Sequence, residues 1–221
     1  MEVWASPPCG WRCSPTWVWR SSPFSTRCVS SMEGTMRLTV IDFETANKYN
    51  QSACSVGIVV FQDGELIHEA VHLIKPHRLY GYFDPFNISI HGITPEMVIE
   101  APNFETVAQE LIPWMDDAIL AAHNAPFDMG VLRSLIDLYL IDFPNVLVLD
   151  TVEVARRCYP RLDNHKLNTV CGALEIPLNH HDALSDARGA ALLVLNAMGL
   201  CEVYDPLEFA QTLGVKLRPL R

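Results

Sequence analysis

Leu38-Thr39-Val40-Ile41-Asp42-Phe43-Glu44-Thr45 limits this chain more than any other stretch. Its first half is an apolar, largely β-branched run, the pattern of a buried strand. Its second half carries two carboxylates. Side chains alternate across a strand, so Asp42 and Glu44 project side by side from one face. Two like charges that close raise each other's pKa unless a cation lies between them. A hard divalent ion such as Mg²⁺ takes carboxylate oxygen and resolves the conflict. A solvated strand end is the plain alternative, and this stretch alone does not separate the two.

The 221 residues suffice for one sizeable core, and a hydrophobic content of 49% is that of a globular chain. No run of about 18 apolar residues is present, so no membrane span is expected. Net charge is −10. Three arginines and two glutamates leave +1 in the first 36 residues; the other 13 basic and 24 acidic residues leave −11. A broad duplex-binding groove needs a basic excess, which this chain lacks. A small site that takes a strand end through metal ions remains open. The seven cysteines form no CxxC pair. Cys54 and Cys171 lie in apolar stretches and read as buried thiols, which fits a reducing, cytoplasmic setting and no zinc site.

Residues 1–35 differ from the rest: four of the five Trp, three of the seven Cys, many Ser and Pro, and no period. They are expected to be a disordered leader or a misassigned start, with Met32 or Met36 as the working start. Residues 36–200 are expected to form one domain and 201–221 a C-terminal tail with a helical turn or two near 205–213. From Arg37 the pattern predicts three antiparallel strands, the second and third joined at Asp63-Gly64, a strong hairpin signal. Residues 75–103 read as a long, proline-rich connection with a helix start at Thr94-Pro95-Glu96, and loops of that length are usually functional. Helical spacing follows over Phe104–Met115. Then come a strand at 118–123, a helix to about Leu140, a strand at 146–149, and helices at 151, 165–174 and 182–198. The order implies an α/β fold, a mixed sheet with three antiparallel then parallel strands, flanked by helices. In such sheets strand ends and helix starts share one edge, and Asp42, Glu44 and Asp128 all fall there.

Asp128 alone reads as a carboxylate favouring a helix start. Asp186 interrupts the apolar side of the last long helix, where a buried carboxylate without a partner is costly. Asp182 is better placed as that helix's N-cap. His181 stands just outside the same helix start. Four carboxylates and a histidine fit two-metal phosphoryl chemistry, with imidazole taking a proton from the attacking water.

Asp42-Phe43-Glu44-Thr45, Ile90-His91-Gly92-Ile93-Thr94, His123-Asn124-Ala125-Pro126-Phe127-Asp128 and His181-x-Ala183-x-x-Asp186-Ala187, in this order, resemble the DEDDh 3′–5′ exonucleases. That group includes the epsilon proofreading subunit of bacterial DNA polymerase III, ribonuclease T and oligoribonuclease. The sister subgroup places Tyr four residues before the last Asp, and position 182 here is Asp. His180 is the rival to His181, at the wrong spacing.

The resemblance spans about Leu38 to Ala197 and implies a ribonuclease H-like fold. It implies Asp42, Glu44, Asp128 and Asp186 as ligands of two Mg²⁺ or Mn²⁺ ions and His181 as general base. Phe43, Thr45, His91, Asn124 and Phe127 are implied as substrate contacts, with Phe43 against the last base and the Thr45 backbone at the terminal 3′ hydroxyl. His91 has a purely structural alternative. The implied substrate is single-stranded or 3′-frayed nucleic acid, DNA favoured and RNA open, cut to nucleoside 5′-monophosphates. Two alternatives stand beside this: a proofreading subunit dependent on a polymerase partner, and an inactive nucleic-acid-binding module. Asp150 reads as architectural. Arg156, Arg157, Arg161 and Lys166 form a basic cluster that meets phosphates or solvent. Ala46-Asn47-Lys48 departs from the Thr-Gly of the best-known proofreaders.

Overall fold

Ala53–Gln62 (β2) is apolar at nearly every position, and nine of its ten residues are buried. A strand apolar on both faces must be covered on both. The computed structural model, which describes residues 36–221, shows how; the expected leader at 1–35 lies outside the described residues. β1 (Arg37–Thr45) pairs antiparallel with β2, placing Asp42 opposite Gly57 and Glu44 opposite Ser55. β3 (Glu65–Leu73) returns along the other edge of β2. Asp63 and Gly64 both have positive φ (55° and 80°), the backbone a tight twisted hairpin needs. β4 (Ala118–Ala122) and β5 (Leu147–Asp150) follow in parallel, and a two-residue β6 (Arg218–Pro219) closes the edge. The sheet order is β3-β2-β1-β4-β5-β6, with β1 near the centre.

The alternation of β1 divides the core. Leu38 and Val40 face one apolar layer with Val59, Val194 and Phe209; Ile41 and Phe43 face the other with Ile58, Phe104 and Leu132. The first layer is covered by α4 (Thr151–Cys158), α5 (Leu167–Ala173), α6 (Ala183–Cys201) and α7 (Pro206–Leu213). The second is covered by α2 (Phe104–Met115) and α3 (Ala125–Tyr139). The α6 helix is long and apolar enough to cross a membrane by length and composition, yet half of that span is buried within the protein. It is the core helix of this layer.

The connection at 75–103 carries structure of its own: Pro95–Val98 forms a 3-10 turn at the start expected from Thr94-Pro95-Glu96, and Pro85–His91 forms a helix, α1, that the sequence reading does not place. The side chain of Asp84 accepts from the Phe86 amide, Pro85 sets the first turn, and Gly92 closes the helix at φ 74°. None of the residues of α1 is buried, so it carries no core-facing period. Beyond residue 200 the chain contributes to the core: Phe209 and Leu220 are buried, and β6 adds a strand that no alternation predicts.

Candidate active site

β1 pairs with β4 only as far as Val40. Beyond that point β4 turns away and the last residues of β1 lose their neighbour. An unpaired buried amide is costly. The Phe43 amide instead donates to Asp128 Oδ1 at 2.9 Å. Asp128 stands in the first turn of α3, which begins directly behind β4. Its carboxylate is 1% exposed and reaches the edge from the second layer.

Asp186 arrives from the first layer. The α6 helix starts against β2 at Gly57, where a Cβ would lie 2.2 Å from the Ala183 carbonyl oxygen and 2.6 Å from the Leu184 amide nitrogen. Only glycine permits that approach. Gly57 is the cross-strand neighbour of Asp42, so this contact lays the first turn of α6 beside the acidic pair. Asp182 caps the turn by accepting from the Ser185 amide, as expected from the sequence. Asp186, one turn further, is 4% exposed. Asp42, Glu44 and Asp186 each offer an oxygen within 4.8 Å of the others.

Burial, then repulsion from Asp128, Asp186 and Glu44, holds Asp42 well above the usual carboxylate range. Burial and the repulsion of Asp186 and Asp128 push Glu44 up to about 8. Burial pushes Asp128 up to about 7, against the pull of the Phe43 amide. Among the described residues no Lys or Arg pairs with any of the four carboxylates. A donor set of clustered, cation-poor carboxylate oxygens fits hard divalent ions.

His180 and His181 lie at the same edge, with Asp186, in a second group of ligating atoms within 4.8 Å of one another. Their rings stack at 3.9 Å. The His180 Nδ1 sits 2.9 and 3.1 Å from the two Asp186 oxygens, while the His181 amide donates to Asp186 Oδ2 at 3.0 Å. His181 has φ 70°, a left-handed backbone that non-glycine residues adopt rarely and at a cost. Both histidines are therefore at the site: the His180 ring and the His181 amide each bond Asp186, and a ring nitrogen of His181 lies in the same group.

The remaining candidates separate. The Phe43 side chain is 2% exposed and packs against Phe104 in the second layer, on the face of β1 opposite Asp42 and Glu44. The expected contact with a terminal base is corrected: alternation sends this ring into the core. Thr45 is buried, and its carbonyl accepts from Asn87 Nδ2 (2.8 Å) and His91 Nε2 (3.2 Å). His91 Nδ1 accepts from the Ile93 amide, so the ring is a neutral brace between α1 and the end of β1; burial lowers its pKa. Asn124 is exposed at the start of α3 with φ 66°, and its amide donates to Asp150. Phe127 is exposed beside Asp128.

Asp150 is architectural, capping α4 through the Val152 amide. His123 Nδ1 accepts from Thr151 Oγ1 at 2.8 Å and Nε2 donates to the His165 carbonyl at 3.0 Å. This neutral ring, its pKa lowered by burial, ties β4 to α4 and to the segment before α5. Arg156, Arg157, Arg161 and Lys166 are all exposed.

Sequence reasoning missed Gly57 and Asn47. A glycine inside an apolar strand signals close backbone approach. Asn47 is buried, and its Nδ2 donates to the carbonyls of Tyr80 (2.8 Å) and Tyr82 (2.6 Å). No local pattern announces that contact.

Residues 39–194 match the family described as Exonuclease, RNase_T. The chain belongs to this exonuclease family. Its domain is of the DEDDh 3′–5′ exonuclease type, as the motifs implied. The PolC-type DNA polymerase III of Bacillus cereus is 32% identical over 165 residues, and that of Bacillus subtilis (strain 168) 34% over 169. Each match covers 72% of this chain and 11% of the polymerase, so the chain spans about a tenth of these relatives. A structure of Exonuclease X in complex with 5′ overhanging duplex DNA is similar at TM-score 0.63 and 24% identity, covering 80% of this chain and 99% of that one. The nuclease domain of 3′hExo, a DEDDh family member bound to rAMP, is similar at TM-score 0.65 and 19% identity, covering 75% and 92%. These two likenesses show the shared ribonuclease H-like exonuclease fold.

Proposed function

We propose that this protein removes nucleotides from the 3′ end of single-stranded or frayed nucleic acid, with DNA favoured, and releases nucleoside 5′-monophosphates. The observation that carries this reading is the convergence of Asp42, Glu44 and Asp186 from β1 and α6, within 4.8 Å and, among the described residues, with no Lys or Arg paired to them.

Asp42, Glu44, Asp128 and Asp186 would hold two Mg²⁺ or Mn²⁺ ions, and such ions would supply an activated water and charge stabilisation at the attacking and leaving oxygens. His181 takes the proton of the water that attacks phosphorus, and the P–O3′ bond breaks to leave a shortened strand with a free 3′ hydroxyl. His180 orients the Asp186 carboxylate through its ring, a positioning role. The braced carbonyl of Thr45 fixes the end of β1 against the strand terminus. Phe127 and Asn124, exposed beside the site, contact the terminal nucleotides. The buried thiols of Cys54 and Cys171 support a reducing, cytoplasmic setting.

The test is digestion of matched DNA and RNA oligonucleotides, single- and double-stranded, with Mg²⁺ and with Mn²⁺. Asp42→Asn abolishes release of 5′-monophosphates. His181→Ala lowers kcat by a factor of about 10² or more, and His180→Ala lowers it less while weakening metal affinity. Full activity of Asp42→Asn in chelator defeats the proposal. The similarity to PolC-type polymerases supports a second reading, in which the domain works beside a polymerase; co-purification with one tests it.

A further inference from the structure

The domain is acidic, yet one surface next to the site is cationic and aromatic. Directly after the catalytic strand come Lys48 and Tyr49, both exposed. Tyr49 is 44% exposed, and Lys48 Nζ sits 5.5 Å from its ring centre. Tyr49 packs against Tyr80 at 5.7 Å, and Tyr80 against His77 at 6.2 Å. Arg78 and Tyr82 are exposed in the same segment. Asn47 locks the two segments together through the carbonyls of Tyr80 and Tyr82. Among the described residues neither Lys48 nor Arg78 makes an ion pair, although the chain has 26 acidic residues. Two cations without counterions and a tilted run of rings are held in one place by a buried amide.

We propose that Lys48, Tyr49, Arg78, Tyr80 and Tyr82 form a track for the unpaired nucleotides upstream of the terminal one. The cations meet phosphates and the rings stack on bases. The proposal rests on the exonuclease reading for the strand's end, and Lys48 lies only four residues beyond Glu44, within about 14 Å of chain. Base–aromatic stacking tolerates any sequence, because every base has a π face, and it demands unpaired bases. A duplex hides those faces. The track thus selects single strands at a site whose overall charge repels nucleic acid.

Affinity for a labelled ten-nucleotide single strand, read by fluorescence anisotropy in the Asp42→Asn protein, tests the track apart from catalysis. Lys48→Ala/Arg78→Ala is expected to weaken binding about tenfold and to lower the log–log salt slope by about 1.4, the value for two lost phosphate contacts on a single strand. Tyr49→Leu is expected to weaken binding at least about fivefold and to reduce the preference over duplex, and Tyr49→Trp to restore both. In otherwise wild-type enzyme, the KM advantage of a ten-nucleotide strand over a dinucleotide shrinks toward one in the Lys48→Ala/Arg78→Ala variant. Unaltered affinity and salt slope in these variants, as expected if the surface docks a protein instead, overturn the track. Loss of strand binding in the variants, with no hydrolysis by the wild type, supports the track and defeats the proposed activity.

Discussion

The Phe43 amide donates to Asp128 Oδ1 at 2.9 Å, joining the central strand to a helix of the second layer. One carboxylate thus has two duties. It satisfies an amide left open where β4 ends, and it adds charge to a crowded edge. The two separate in Asp128→Asn, whose amide oxygen still accepts from Phe43. Exonuclease activity is expected to fall by a factor of about 10² or more. In chelator at pH 8.5, thermal unfolding is expected no lower than wild type, because a repelling charge is gone.

Metal-free protein is expected to lose stability as pH rises. Asp42, Glu44 and Asp128 have folded pKa values raised above those of an unfolded chain, to about 8 for Glu44 and about 7 for Asp128. Groups raised in this way bind more protons when folded, so their contribution is full below the unfolded carboxylate range and is lost as pH climbs through about 8. Tm in EDTA is expected to drop by roughly 5–10 °C between pH 5.5 and 8.5. Mn²⁺ at pH 8.5 reverses the drop, because it binds the ionised folded form. A Tm that rises with pH in EDTA contradicts the charge crowding.

Gly57→Ala places a methyl group against the backbone of Ala183 and Leu184. The start of α6 must retreat, carrying Asp186 away from Asp42. A loss of about 1–3 kcal/mol in stability is expected, together with weaker Mn²⁺ binding by calorimetry. Gly189→Ala is the comparison on the same helix. Its Cβ meets the ends of the Leu178 and Cys171 side chains, which can give way. Mn²⁺ affinity there is expected to match wild type.

The readable and unreadable parts of this site differ in kind. Asp42 and Glu44 were legible because strand alternation is local, and Phe104–Met115 because its buried residues repeat with the helical period. Both faces of β1 follow from the same rule, which sends the Phe43 ring into the core against Phe104. The α1 helix was hidden because Phe86 and Ile90 face solvent; its only signals were Asp84-Pro85 and Gly92 at the ends. His181 was found by spacing. The ring contact of His180 with Asp186 depends on the left-handed turn at 181, which no spacing reveals.

Asn47→Ala is expected to cost about 1–3 kcal/mol by urea denaturation, since the buried amide's partners at Tyr80 and Tyr82 lose their donor. Asn47→Asp is expected to be as harmful, because a carboxylate cannot donate to carbonyls. Near-wild-type stability in both variants contradicts the anchoring role.

The acidic residues reach one edge from both sides of the sheet: Asp42 and Glu44 on β1, Asp128 from α3 beneath, Asp186 from α6 above. Half-assembled protein, with one helical layer undocked, lacks part of the cutting apparatus. Undocking of either helical layer would scatter these carboxylates and leave the acidic edge incomplete.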